Sequence, residues 1–401
     1  MNIMFGFSGR IIHLCLVAAL FFSSCNTAPS QPAVRTGCER TELYLQKLKG
    51  KSVGLVSNHT TVIGKEHLAD FLIRQGIGLT RIFAPEHGFR GEADAGADIR
   101  NDVDAATGVK IVSLYGNKTK PSAADLQGID IMIYDIQDVG VRFYTYISTL
   151  HYLMEACAEN NIPLLILDRP DPLGYYVDGP ILENEFRSFV GLHPIPIVYG
   201  MTPGELALMI NGEGWLKDGE KCSLQVIPCS GYDHNTRYQL PVNPSPNLNC
   251  MQAIYLYPSI CLFEGTIMSL GRGTSSPFRF IGHPDYPDKD FSFIPKAGKS
   301  NQNPLLRDQT CYGINLQNIP QDSLEKISSI NLTWIIGVCH KMNRGKDFFI
   351  PYIDRLAGTV NFREQLLQGS SEKQIRQSWQ QGLDDFCKKR ATYLLYPDFT
   401  R

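Results

Sequence analysis

The chain has no Cys-x-x-Cys pair, no Cys/His spacing of a zinc site, no Gly-x-Gly-x-x-Gly turn after its first strand and no Gly-x-Ser-x-Gly elbow. Structural zinc, nucleotide binding by the usual phosphate turn and serine-elbow acyl transfer therefore have no residue-level support. An excess of one charge is missing too. Lys+Arg number 38 against 40 Asp+Glu, a formal net charge of −2, with both signs interspersed. That balance argues against a nucleic-acid footprint or a polybasic membrane patch, and points to a partner that is small or uncharged overall. Repeats and low-complexity segments are absent after residue 40. Of eleven cysteines, Cys15 lies in a signal-like segment and Cys25 in a processing site, which leaves an odd number. Cys222 with Cys229 is a conceivable pair in an oxidising exterior, whereas Cys157 and Cys261 sit among apolar residues as small hydrophobes. No disulfide framework, no metal and no cofactor are expected.

What is present begins with export. Arg10 precedes the apolar run 11–22, which breaks into Ser23-Ser24-Cys25. The run is too short for a stable span and has the layout of a secretory signal over 1–24. Two small residues before Cys25 resemble a lipoprotein processing site, with 25–40 as a polar tether. An exported chain, lipid-anchored through Cys25 and facing the periplasm, is the expected localisation. With 401 residues and 43% hydrophobic content, the remainder divides on length and texture into an α/β domain over 41–240 and an α+β domain over 241–401.

Short β-rich runs alternate with helical spacing, the signature of βαβ units over a parallel sheet. Strands are predicted at 52–56, 79–83, 110–114, 130–134 and 163–167, with a sixth at 194–198 and an edge strand at 223–227. Helical spacing covers 65–75, 121–127 and the stretch that buries Ile147, Leu150 and Met154. Thr202-Pro203-Gly204-Glu205 is a capping box with proline at the first helical position. Pro241, Pro244 and Pro246 mark a stiff connector. Beyond it, a helix at 251–263, a strand at 333–339 and helices at 362–367 and 372–393 are expected.

Four strands end in polar groups: Asn58-His59, Glu86-His87, Asp135 with Gln137 and Asp138, and Asp168-Arg169. If the strands are parallel, right-handed crossovers bring those ends to one rim. Two carboxyls facing one bond are the minimum for glycoside hydrolysis, and the candidates are Glu86, Glu92, Asp135, Asp138, Asp168 and Glu264. Asp168 serves equally as an ion pair with Arg169 that orders a turn, and Asp135 and Asp138 as caps of the helix near Thr145. Glu86 and Glu92 have no such duty, and Gly88, Gly91 and Gly96 permit close approach to a ligand. His59 and His87 read more simply as hydrogen-bonding residues than as metal ligands. Arg142, Arg169, Arg272 and Arg279 offer guanidinium forks for an acidic substituent. Tyr144 and Tyr146 either stack on a sugar ring or fill the core.

Several segments together resemble the bacterial exo-β-N-acetylmuramidases: 54–60 (Gly-Leu-Val-Ser-Asn-His-Thr), 85–91 (Pro-Glu-His-Gly-Phe-Arg-Gly), 113–116, 135–146, 168–174, 199–205, 244–247, and Glu264-Gly265-Thr266 with Gly271-Arg272-Gly273-Thr274. Asp171 stands where asparagine is expected, and Tyr175-Tyr176 where glycine is. The resemblance implies a Rossmann-like domain with an auxiliary C-terminal domain and a site between them. It implies release of N-acetylmuramic acid from the non-reducing end of peptidoglycan fragments. On this reading Glu86 and Glu92 are catalytic, and Asn58, His59, His87, Asp135, Gln137, Asp138, Arg142, Tyr144, Asp168, Arg169, Glu264 and Arg272 bind substrate. The competing classes are a lipid-anchored muropeptide-binding protein and a metal-dependent amidase or esterase.

Overall fold

Six runs pair into one sheet; the central ones, 52–57, 131–135 and 164–167, are too continuously buried to leave either face in water, while the outer ones keep exposed residues such as Lys110 and Gln225. The six are β1 (Ser52–Ser57), β2 (Gly78–Ala84), β3 (Lys110–Ser113), β4 (Ile131–Asp135), β5 (Leu164–Leu167) and β6 (Leu224–Ile227). All six are parallel in the order β3-β2-β1-β4-β5-β6, the doubly wound order that reverses between β1 and β4. Residues 102–103 add an antiparallel edge beside β3. The structure is a computed structural model that describes residues 1–4, 6, 33–90, 102–298 and 301–400. Within it, Val34–Arg401 form one unit.

Successive side chains alternate between two cores, as the strand period of two requires. On one face Leu55, Ile82, Ile133 and Leu165 pack with Leu68 and Leu72 of α1 (Leu68–Arg74). On the other, Val56, Phe83, Met132, Tyr134 and Ile166 pack with Ile147, Leu150 and Met154 of α2 (Tyr146–Glu159). Each such side chain contributes about 1.5–3 kcal/mol by leaving water. Gly54 makes room for Met132, since a Cβ there would stand 2.3 Å from its sulfur. Helix α3 (Pro203–Gly212) starts at the expected capping box: Thr202 Oγ1 accepts from Glu205 N at 3.3 Å, and Glu205 Oε2 accepts from Thr202 N at 2.9 Å.

The C-terminal part carries helices α4 (Met251–Ile260), α5 (Leu332–Met342), α6 (Tyr352–Ala357) and α7 (Glu372–Arg390). It also has an antiparallel sheet of β7 (Phe280–His283), β8 (Ser292–Phe293) and β9 (Cys311–Asn315), with β9 central. The larger core runs unbroken from Met132 and Tyr146 to Tyr255, Ile335 and Phe386, so the two parts share their interior.

Two expected strands are not strands. Residues 194–198 contribute only the isolated bridges of Val198 with Val141 and Asp178, because the prolines at 194 and 196 interrupt any ladder. Residues 333–339 are helical. Their β-branched composition favours a strand, but Leu332, Ile335, Val338 and Met342 fall on one buried helical face, and Asn331 Oδ1 caps Thr333 N at 3.0 Å. Burial spacing and the cap override propensity here. Asn331→Ala should therefore cost about 1 kcal/mol of unfolding free energy in urea titration. A loss indistinguishable from zero would leave the helix start unexplained.

Candidate active site

Most of the polar strand ends are knitted into the rim rather than offered to a ligand. At the switch between β1 and β4, Asn58 Oδ1 accepts from Thr60 N (2.9 Å) and Thr60 Oγ1 (2.6 Å), and Thr60 Oγ1 accepts from Gln137 N at 3.1 Å. Gln137 Nε2 donates to the carbonyls of Asp138 and Pro170, both at 2.8 Å. Asp135 and Arg169 form a bidentate pair, with Nη2 to Oδ2 at 2.9 Å and Nε bonded to Oδ1, and neither is more than 2% exposed. Asp138 Oδ2 accepts from Gly140 N at 2.8 Å and from the Tyr199 hydroxyl. Asp168 accepts from Thr202 Oγ1 (2.7 Å), Gly204 N (2.8 Å) and Tyr396 Oη (2.5 Å), which latches the C-terminal tail onto the end of β5.

Arg142 is wholly buried and donates to four carbonyls: Pro180 (2.8 Å) and Ile195 (2.7 Å) from Nη1, Leu356 (2.9 Å) and Ala357 (2.7 Å) from Nη2. Burial with no carboxylate beside it pulls its pKa down to about 9. Asn58, Asp135, Gln137, Asp138, Arg142, Asp168 and Arg169, expected from the sequence to contact substrate, are all buried, and none of them lines the cavity beside the end of β2. Most of their polar groups are taken up by the fold's own donors and acceptors, while Asn58 Nδ2, Gln137 Oε1, Asp138 Oδ1 and Arg142 Nε have no partner among the described residues.

Chemistry gathers instead beside the end of β2, in a cavity of about 180 Å³. Glu86 and His87 enter it from the loop after β2, Tyr115 from the end of β3, and Phe143, Tyr144 and Thr145 from the segment before α2. Phe189 and Val190 close one side; Glu264, Arg272 and Phe278 close another, with Tyr257 of α4 and Tyr352 of α6. His87 takes a positive φ of 69° followed by Gly88 at 76°, a tight turn that a non-glycine residue adopts only when its surroundings hold it. Other cavities are larger, including one of about 660 Å³ beside His151 and Trp215. There Glu155 is already tied to Lys120 and His151, so the smaller cavity carries the more reactive set.

The proline-rich connector supplies the remaining wall through Ser245, Asn247 and Leu248. Its backbone is fixed from below. His59 Nε2 donates to Asn243 O at 2.8 Å, Tyr144 Oη to Pro244 O at 2.8 Å and Tyr146 Oη to the same carbonyl at 3.4 Å. Burial lowers the His59 pKa; the Asn243 carbonyl opposes that and His87 adds to it. A neutral ring donating from Nε2 follows. His59 and Tyr144 thus shape the site through its connector, and Tyr144 also lines the cavity.

Two carboxyls line this cavity. Glu86 Oε2 accepts from Thr145 Oγ1 at 2.8 Å. The Tyr115 hydroxyl also lies against it: burial, then the Glu86 charge, raises the tyrosine's pKa. Glu264 Oε1 receives both Nε (2.9 Å) and Nη2 (2.5 Å) of Arg272, whose guanidinium stands 4.8 Å from the Phe278 ring centroid. Of the four arginines singled out in the sequence, Arg272 is the one that lines the cavity; Arg279 donates to Ser275 O and Asn249 Oδ1. Glu92 and Cys25 lie outside the described residues. Tyr115, Thr145 and Tyr352 line the cavity without belonging to the set of site residues expected from the sequence. The strand-end rule that found Glu86 applies equally to Tyr115, which follows β3 just before Gly116 at φ 77°.

Burial raises the Asp138 pKa to about 6 and that of Asp168 to about 7, from an ordinary 3.8, although hydroxyl and backbone donors oppose the shift. A carboxyl whose folded pKa exceeds its unfolded one contributes stability at low pH, and that contribution fades as pH rises from about 4 to about 7. Asp168→Asn should flatten that decline in unfolding free energy, whatever it does to absolute stability. An unchanged slope between the variant and the unsubstituted protein would contradict the assignment.

Comparison with known proteins gives a consistent set of relatives. A family model described as exo-beta-N-acetylmuramidase NamZ, N-terminal, matches residues 53–252, and its C-terminal counterpart matches 255–396. The chain is 38% identical to the peptidoglycan beta-N-acetylmuramidase NamZ of Bacillus subtilis (strain 168), with 93% of this chain and 94% of the relative aligned. Two solved structures of DUF1343 family proteins from Bacteroides fragilis NCTC 9343 are similar. One has a TM-score of 0.86 at 47% identity over 92% of this chain, the other 0.79 at 29% over 91%, and each is covered in full.

Proposed function

The chain belongs to the exo-β-N-acetylmuramidase family, and from that premise we propose that it hydrolyses peptidoglycan fragments at a non-reducing N-acetylmuramic acid, with Glu86 and Glu264 as the working carboxyls. The observation that carries the pairing is their convergence on one cavity from different halves of the chain. Glycoside hydrolysis needs one carboxyl to protonate the leaving oxygen and a second to attack the anomeric carbon or activate water. Thr145 and Tyr115 orient Glu86, and Arg272 orients Glu264 through Oε1. Tyr144, Tyr257, Phe143 and Phe278 give the aromatic surface on which a pyranose ring packs. Arg272 spends Nε and Nη2 on Glu264, and its Nη1 remains for the lactyl carboxylate of the sugar.

Glu92 follows Glu86 in the same glycine-rich stretch and is the rival partner. Glu86→Gln and Glu264→Gln should each lower turnover of a chromogenic muramic-acid glycoside by about 10³-fold or more, in line with loss of an essential catalytic group. Full activity in Glu264→Gln with loss in Glu92→Gln would transfer the second role to Glu92. Proton NMR of the first-formed anomer distinguishes retention from inversion, and with it a carboxyl separation of about 5–5.5 Å from one of about 6.5–9.5 Å.

The same reading places the protein in the cell envelope, anchored by a lipid on Cys25 and facing the periplasm, where such fragments occur. Its support is the Arg10, apolar run and Ser23-Ser24-Cys25 pattern. Metabolic labelling with a fatty-acid analogue should mark the unsubstituted chain and not Cys25→Ser; equal labelling would remove the anchor.

A further inference from the structure

We propose that Tyr352 is a further substrate-contacting residue of this centre, and that buried Arg142 is the positioning residue that delivers it. The proposal rests on the muramidase reading above and deepens it. Tyr352 opens α6, half-buried, and lines the same cavity as Glu86 and Glu264. Its hydroxyl makes no hydrogen bond among the described residues, and burial, with the charges of Glu264 and, more weakly, Glu86, raises its pKa. A phenol that keeps its proton beside two carboxyls, with no acceptor among the described residues, is placed to donate to an oxygen of the bound sugar.

The placement of α6 has a distinct cause. Arg142 Nη2 holds the carbonyls of Leu356 and Ala357 at its C-terminal end, while Nη1 holds Pro180 and Ile195, which bracket the segment carrying Phe189 and Val190. One guanidinium thus ties two walls of the cavity together from behind. Space there is tight: Gly358 takes a φ of +78°, and a Cβ on it would stand 2.7 Å from Arg142 Nη2. Lysine, a point donor without the fork, cannot span carbonyls on both sides. Arg142 reaches no reacting atom itself, so its effect on the reaction passes through the tyrosine it positions.

The test uses the full chain and a chromogenic muramic-acid glycoside. Tyr352→Phe should lower kcat/KM about ten- to a hundredfold, the range for a lost hydrogen bond to a polar or charged group, with the melting temperature unchanged. Arg142→Lys should lower it similarly in the unsubstituted background and cause little further loss in the Tyr352→Phe background, because coupled residues are non-additive. Tyr352→Phe within about twofold of the unsubstituted enzyme overturns the proposal. Additive losses overturn the role given to Arg142, and should Arg142→Lys not fold, Tyr352→Phe alone decides. No turnover by the unsubstituted protein would instead remove the muramidase reading, and the proposal with it.

Discussion

Two backbone carbonyls, Asn243 O and Pro244 O, fix the chain where it leaves the sheet. His59, Tyr144 and Tyr146 reach up from the rim to hold them, and the connector's prolines limit the alternatives open to the backbone between those anchors. Everything that crosses to the far side of the cavity depends on that fixed departure. Helix α4 follows directly and turns through residues 261–265 to present Glu264. A flexible connector would leave the second carboxyl with no defined distance from the first. The shared core, continuous between the sheet and the C-terminal helices, resists the rocking that two separately packed domains would permit.

The rim itself divides into ends that hold the fold and an end that borders the cavity. Toward β4 and β5 the polar groups close on one another: Asp135 on Arg169, Asp168 on Tyr396 and Thr202, Arg142 on four carbonyls. A buried charge is tolerated only with partners of this kind, and those partners take up most of what these groups could offer a ligand. Toward β2 and β3, Glu86 meets the hydroxyl groups of Thr145 and Tyr115 and a cavity. The proposed site is therefore displaced from the switch between β1 and β4, where this strand order most often places a ligand.

The sequence made the sheet legible because strand length, apolar runs and polar stops coincide in 52–57, 78–84 and 131–135. It made the helix at 332–342 illegible, since Thr333, Ile335, Ile336 and Val338 favour a strand until their spacing against the core is known. Glu86 could be singled out by position alone. The pairing of Glu264 with Arg272 could not, because seven residues separate them and only folding shows that both side chains return to one point. Arg142 misled for a related reason: a guanidinium in a motif reads as an anion receptor, and only the folded chain shows four carbonyls arriving around it. Tyr352 lies far from every other cavity residue in sequence and carries no local signal.

The most direct test of the account is a crystal structure of the Glu86→Gln variant with an uncleaved disaccharide bearing a non-reducing N-acetylmuramic acid. The account predicts the anomeric carbon between residue 86 and Glu264, with the sugar ring against the connector wall of Ser245, Asn247 and Leu248. A sugar bound away from Glu264, or one whose anomeric carbon faces Glu92 instead, would contradict it.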